Sequence, residues 1–191
     1  MYDIRPLRSD EWRESRDLQL RALQDADAAV AFFETHDQAL AKPEAEWRNW
    51  ATIAGTAAEG SPFVRDFVAV TLFGEWVATS TVLIRMAGDP ELGGGQVSSD
   101  RGDFMGVWID PHHRGQGLLS TLMGTAMTWL SETGVSRAAL WVHEENDRAQ
   151  RAFERVGFEP TGLRVQESKG AEIQLARPTA QHFVPGGNGA S

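Results

Sequence analysis

The chain has 191 residues, of which 41% are hydrophobic and 24% charged, proportions that suit one soluble globular domain and exclude disorder along its whole length. The net charge of -9, with no Lys/Arg-rich run, argues against a protein built to grip nucleic acid. It is compatible with a cationic partner such as an amine, and equally with a surface charged for solubility. With 0 cysteines, disulfides, zinc thiolate sites and a cysteine nucleophile are excluded.

Taken in chain order, Tyr2 to Leu7 alternates as a short first strand. Ser9 offers an N-cap hydroxyl, and Trp12, Leu18, Leu20 and Leu23 follow near helical spacing, which predicts a helix from Ser9 to about Ala26. A second helix is predicted from about Pro43 to Ala58, with Trp47, Trp50 and Ile53 on one side. Those tryptophans have two readings: core packing, or the wall of a pocket that holds a cation on a ring face. Phe63 to Phe73 and Trp76 to Met86 are rich in β-branched and aromatic residues and flank Gly74-Glu75, so they predict a hairpin. Ala87 to Gly102 is glycine-rich and reads as a loop, long for a link between neighbouring strands.

Asp103 to Asp110 is the next strand, and Pro111 ends it. Leu119, Leu122, Met123, Ala126 and Leu130 form an apolar stripe, so Gly115 to Glu132 is predicted helical and Gly134 stops it. Arg137 to His143 is a strand, Asp147 to Val156 a helix closed by Gly157, and weaker strands follow near 163–167 and 172–177. Residues 178–191 read as a flexible tail behind a single domain of residues 1–177. No apolar stretch approaches the roughly 18 residues that a membrane helix needs. The start, Met1-Tyr2-Asp3-Ile4-Arg5, has no signal-peptide pattern, so the cytoplasm is the default compartment. The order of elements predicts an α/β, or α+β layered, fold with a mixed sheet.

The chemistry concentrates in Val107-Trp108-Ile109-Asp110-Pro111-His112-His113-Arg114-Gly115-Gln116-Gly117-Leu118-Leu119-Ser120. A strand ends there, a turn rich in His and Gly follows, and a helix begins. The first turn of a helix presents N–H groups without intrahelical partners at its positive dipole end, and glycines let an anion come close. The alternative is a turn whose glycines serve tight geometry alone. The segment is neither a P-loop nor the dinucleotide fingerprint.

It does resemble motif A of the GNAT N-acetyltransferases, Arg/Gln-x-x-Gly-x-Gly/Ala after Asp-Pro. Arg114, Gly117 and the Asp110-Pro111 lead-in match, while Leu119 replaces a small residue. A second block, Asn146-x-x-Ala149-x-x-x-Phe153-x-x-x-Gly157-Phe158, resembles the family's Asn-x-x-Ala-x-x-x-Tyr-x-x-x-Gly-Phe. The resemblance implies a mostly antiparallel sheet of 6–7 strands flanked by about four helices. Two parallel strands splay in it to hold acetyl-CoA as cosubstrate, without a metal.

Carried over, Val107, Trp108 and Ile109 would offer backbone groups to the pantetheine. Arg114, Gly115, Gln116, Gly117, Leu118, Leu119 and Ser120 would hold the pyrophosphate. Asn146 would lie near the pantetheine arm or simply cap the next helix. The implied reaction is direct transfer of acetyl from the thioester to a primary amine. The acceptor would be a small molecule or peptide, not nucleic acid or a membrane. Dimers are common in the family, and a homodimer fits the sequence.

Phe153 stands where the family often has a proton-donating tyrosine, and phenylalanine donates no proton. Asp103 is the first candidate base, with a solvated loop-end carboxylate as its other reading. Glu144, beside His143, is the second. A GNAT-fold module that binds acyl-CoA without turnover is the rival function.

Overall fold

In the computed structural model, which describes residues 1–56 and 60–179, the strands are β1 (Tyr2–Pro6), β2 (Val64–Thr71), β3 (Trp76–Arg85), β4 (Arg101–Ile109), β5 (Arg137–His143), β6 (Glu159–Glu167) and β7 (Gly170–Pro178). The α-helices are α1 (Trp12–Ala22), α2 (Ala28–Ala31), α3 (His36–Leu40), α4 (Glu44–Ala54), α5 (Leu118–Glu132) and α6 (Asp147–Arg155). One seven-stranded sheet runs β1-β2-β3-β4-β5-β7-β6. Every neighbouring pair is antiparallel except β4 and β5, which are parallel.

Both faces of the sheet are covered, which explains why Val64–Thr71 reads as a nearly continuous apolar run rather than an alternation. Phe67 and Ala69 of β2 point into one core with Leu118, Leu122, Met123, Ala126 and Leu130 of α5. Val68 and Val70 point into the other, with Trp12, Leu18, Trp47 and Ala51 of α1 and α4. Trp47 is buried in that second core, which answers to its packing reading. Trp50 donates its Nε1–H to Asp66 at 2.8 Å, and Thr81 donates its hydroxyl to the same carboxylate at 2.6 Å. Burial pushes the Asp66 carboxyl up to about 6 against those two bonds.

Several boundaries differ from the sequence expectation. Helix α1 starts at Trp12 with Glu11 at its N-cap, because the Glu11 carboxylate accepts from the Arg8 N–H (2.9 Å) and from Arg5, which leaves Ser9 in a turn. Helix α4 follows Pro43 and ends at Ala54, and part of the expected extension to residue 58 lies outside the described residues. The short helices α2 and α3 are additions to the expected elements, although Thr35 and Gln38 form a reciprocal capping box at the start of α3. The expected tail from 178 lies, beyond Thr179, outside the described residues.

The glycine-rich segment between β3 and β4 is an ordered flap. Pro90 and Gln96 form an isolated bridge across it, and Gly93 packs against Val165 of β6. Its anchor is Arg101, which donates to Glu91 (2.6 and 2.8 Å) and to Asp103 (2.6 and 3.0 Å).

Candidate acetyl-transfer site

The site exists because β4 and β5 pair for only three residues, from Gly102↔Ala138 to Phe104↔Leu140. Beyond them β4 carries one extra residue against β3, the register passing from Thr81↔Met105 to Thr79↔Trp108. Gly106 absorbs the bulge at φ +56°, a value that favours glycine. A bulge bends its strand, and β4 leaves β5 from this point on.

Two adjoining cavities occupy the parting, of about 90 Å³ and about 420 Å³. They share Ala31, Phe32, Val107, Asn146, Ala149 and Phe153 in their walls. Strand backbones turn alternate residues to opposite neighbours. Because Asp110 N–H bonds to Val77 of β3 at 2.8 Å, Trp108 also faces β3, and Val107 and Ile109 turn their backbone groups to the parting. The Trp108 indole sits in the α1–α4 core and donates to Asp25 at 2.9 Å.

The larger cavity ends at the start of α5. Gly115 (φ +73°) and Gly117 (φ +77°) take left-handed conformations, which delays the helix to Leu118 rather than Gly115. From Gly115 through Ser120, no backbone N–H finds an acceptor among the described residues, and α5 has no side-chain cap. No atom lies within 4 Å of where a Cβ at either glycine would stand, so a ligand has open access to these amides. The geometry fits an anionic group such as a pyrophosphate. Leu118 is buried in the core and Leu119 half-buried against it while lining the cavity, so the larger residue at 119 is accommodated on the helix's inner side.

Arg114 does not extend into the cavity as a free charge. Its Nε donates to the Ile109 carbonyl at 2.9 Å, and its guanidinium pairs with Asp25. Burial opposes ionisation of Asp25, but donors from Trp108, the Asp27 backbone and Arg114 hold its carboxyl below the ordinary range. Arg148 of α6 pairs with Asp27. The segment from Asp25 to α2 is thereby clasped across the front of the parting. The Gln116 side chain turns away from the cavity: its Oε1 accepts from the Tyr2 hydroxyl at 3.0 Å, and the same hydroxyl lies 3.0 Å from Nδ1 of His113.

Asn146 stands at the start of α6. Its Oδ1 accepts from Ala149 N–H at 3.1 Å as the N-cap of α6, and the residue lines both cavities. Phe153 is buried, packs edge-on against Phe158 and lines both cavities.

The two candidate bases are not brought to the parting. Asp103 is buried and bonded through both oxygens to Arg101, in the anchor of the flap, and borders neither cavity. Glu144 is exposed and paired with Arg164 at 2.8 Å, which holds its carboxyl below the usual range. No residue of the flap lines either cavity.

The smaller cavity instead contains Glu172, a residue that sequence reasoning missed. It stands opposite His143 in the β5–β7 register. Burial raises its carboxyl above the usual glutamate range, with His143 acting in the opposite direction, and it forms no hydrogen bond among the described residues. Both nitrogens of His143 are engaged: Nδ1 accepts from the Glu145 N–H at 3.2 Å, and Nε2 lies 3.0 Å from the Lys169 carbonyl. Gly170 permits this arrangement, since a Cβ there would overlap His143 Nε2. Lys169 Nζ donates to the Phe32 carbonyl at 2.7 Å and ties the end of α2 to the β6–β7 turn.

The model of the acetyltransferase (GNAT) family matches residues 27–158. A mycothiol acetyltransferase from Beutenbergia cavernae is 35% identical over 65 residues, which are 34% of this chain and only 22% of that protein. An acetyltransferase of the GNAT family from Streptococcus pneumoniae superposes with a TM-score of 0.66 at 17% identity, over 93% of this chain and 99% of the other. A spermidine N-acetyltransferase from Vibrio cholerae, in complex with CoA and spermine, gives 0.62 at 17%, over 93% and 95%. At such identities the solved structures speak for the fold, and the family model, spanning more than half of the sequence, shows that the chain belongs to the GNAT family of acetyltransferases.

Proposed function

We propose that the protein transfers an acetyl group from acetyl-CoA directly to a primary amine. The observation that carries this reading is the run of unpartnered amides from Gly115 to Ser120, opening onto a slot between two parted parallel strands. The amides and the positive end of α5 would hold the pyrophosphate, and the backbone of Val107 and Ile109 would pair with the pantetheine arm. Bound there, acetyl-CoA supplies an activated acyl carbon.

The chain's own residues do the rest. Backbone donors fixed along β4 are preorganised for a developing oxyanion. Asn146, Ala149 and Phe153 wall the slot from the α6 side. Phe153 leaves the departing thiolate to take its proton from water or from the attacking nitrogen. Arg114, already neutralised by Asp25, positions the loop rather than contributing a net charge.

The test is isothermal titration with acetyl-CoA beside a Gly117→Glu variant. A carboxylate among these amides, at a left-handed position, is expected to abolish micromolar binding. Release of free CoA thiol on addition of amines then tests transfer. Binding without thiol release from any amine would favour the acyl-CoA-binding module instead.

A further inference from the structure

The smaller cavity also bears on the chemical class of the acceptor, a question that rests on the acetyl transfer proposed above. Its wall is apolar and aromatic, with Phe32, Phe33, Met105 and Trp141 among the lining residues. Two of these are left open to solvent, Phe33 at 62% and Met105 at 41% relative exposure, although both are large apolar side chains beside a cavity. Such residues are normally covered, and here a ligand is available to cover them.

The polar groups are few, and nearly all are spoken for. Lys169 is bonded to the Phe32 carbonyl, and both nitrogens of His143 have partners. Glu172 is the one charged side chain of the lining without a hydrogen bond among the described residues. The same lining holds a single carboxylate and a single lysine, Lys169. A polycation would find one carboxylate, no second one, and an ammonium nearby. A monoamine with an apolar body would find a carboxylate for its nitrogen and aromatic surface for its carbon skeleton.

We infer that the acceptor is a small primary monoamine with an apolar body and that Glu172 takes the proton from its ammonium group. The substrate R–NH3+ gives one proton to the Glu172 carboxylate and becomes R–NH2. The nitrogen lone pair forms the N–C bond to the acyl carbon, and the C–S bond breaks with its electron pair going to sulfur. The second proton of the attacking nitrogen ends on the thiolate, and the Glu172 proton returns to solvent. The sum is an N-acetylamine, CoA thiol and one proton.

The experiment titrates the CoA-saturated full-length protein with 2-phenylethylamine, isoamylamine and spermidine, and follows acetylation of each separately. The two monoamines are expected to bind at least about tenfold more tightly than spermidine. Glu172→Gln is expected to weaken 2-phenylethylamine binding about tenfold or more and to lower kcat further, with CoA affinity unchanged; Glu172→Asp recovers part of the rate. Phe33→Glu, at an exposed position where folding is not at risk, is expected to abolish the preference over spermidine. Tighter binding of spermidine, no binding of either monoamine, or an unaffected Glu172→Gln variant overturns the inference. Acetylation of spermidine in preference to monoamines would sink this substrate class and leave the transfer reading standing. Monoamine binding without acetylation would do the reverse.

Discussion

Asp66 permits a quantitative test of how the helical layer is fastened to the sheet. Its carboxyl accepts from Trp50 of α4 and Thr81 of β3 and is fully enclosed, with its pKa pushed from 3.8 up to about 6 by burial. Between those values the folded protein holds a proton that the unfolded chain has lost, so stability falls as pH rises and the loss is complete above about pH 6. At about 1.4 kcal/mol for each pH unit of displacement, the whole effect is about 3 kcal/mol, of which roughly 1 kcal/mol falls between about pH 5 and about pH 7. Asp66→Asn removes the charge and keeps the bonds: the amide oxygen accepts from Trp50, and the amide nitrogen donates to the Thr81 hydroxyl, which turns to accept. Equilibrium urea unfolding of both proteins across this range should show the wild type losing stability relative to the variant as pH rises. The variant should be the more stable at neutral pH. Parallel curves would mean that Asp66 is ionised in the fold at no cost, and would refute the assignment of a burial penalty to it.

Other outcomes follow from the same geometry. Arg101→Met removes the hydrogen-bonded partner of Glu91 and Asp103 and leaves Asp103 only Arg85, 3.8 Å away, and should cost about 3 kcal/mol in urea unfolding. Asp103→Asn should lower stability by about 1–3 kcal/mol while leaving the pH profile of kcat in place, whereas a profile that moved would return Asp103 to the chemistry. Acetyl-CoA at about 100 times its Kd should stabilise the protein by about 2.7 kcal/mol, a thermal shift of about 5–10 °C in differential scanning fluorimetry. Tyr2→Phe removes the hydroxyl that holds Gln116 and His113, and should weaken acetyl-CoA binding about three- to tenfold in titration calorimetry by loosening the cradle loop.

Local pattern revealed the parts of the fold whose causes are local. The stripe from Leu119 to Leu130 is a helix because its period is helical, and the glycines before it could be read as a turn of special backbone geometry because their use is a backbone matter. The onset of α5 at Leu118 rather than Gly115 escapes that pattern, because a left-handed φ leaves no trace in a hydrophobic period. Ser9 does not cap α1 because the chain turns through it to an N-cap at Glu11, whose carboxylate is held by Arg8 N–H and Arg5 and makes no bond to the helix. Asp103 shares a strand face with Arg101, two residues away, so their pairing could be read. The arrival of Glu91 from the flap could not. Glu172 was invisible for a related reason: Ala171-Glu172-Ile173-Gln174-Leu175 alternates like a strand with one wet face. What covers that face, α2 and Lys169 bonded to Phe32, comes from residues far away along the chain.

The parted strands also govern which features can change independently. Under the proposed reading, Val107 and Ile109 would meet acetyl-CoA through backbone groups turned to the parting, which every residue except proline possesses in full, so that half of the recognition would be indifferent to side-chain substitution. It asks instead for a shape, a slender molecule carrying peptide-like groups of its own, narrow enough to lie where a strand would. The other half would rest on Phe33, Met105 and Glu172, each acting through its side chain. A scaffold divided in this way can keep one donor molecule while its acceptor drifts from lineage to lineage.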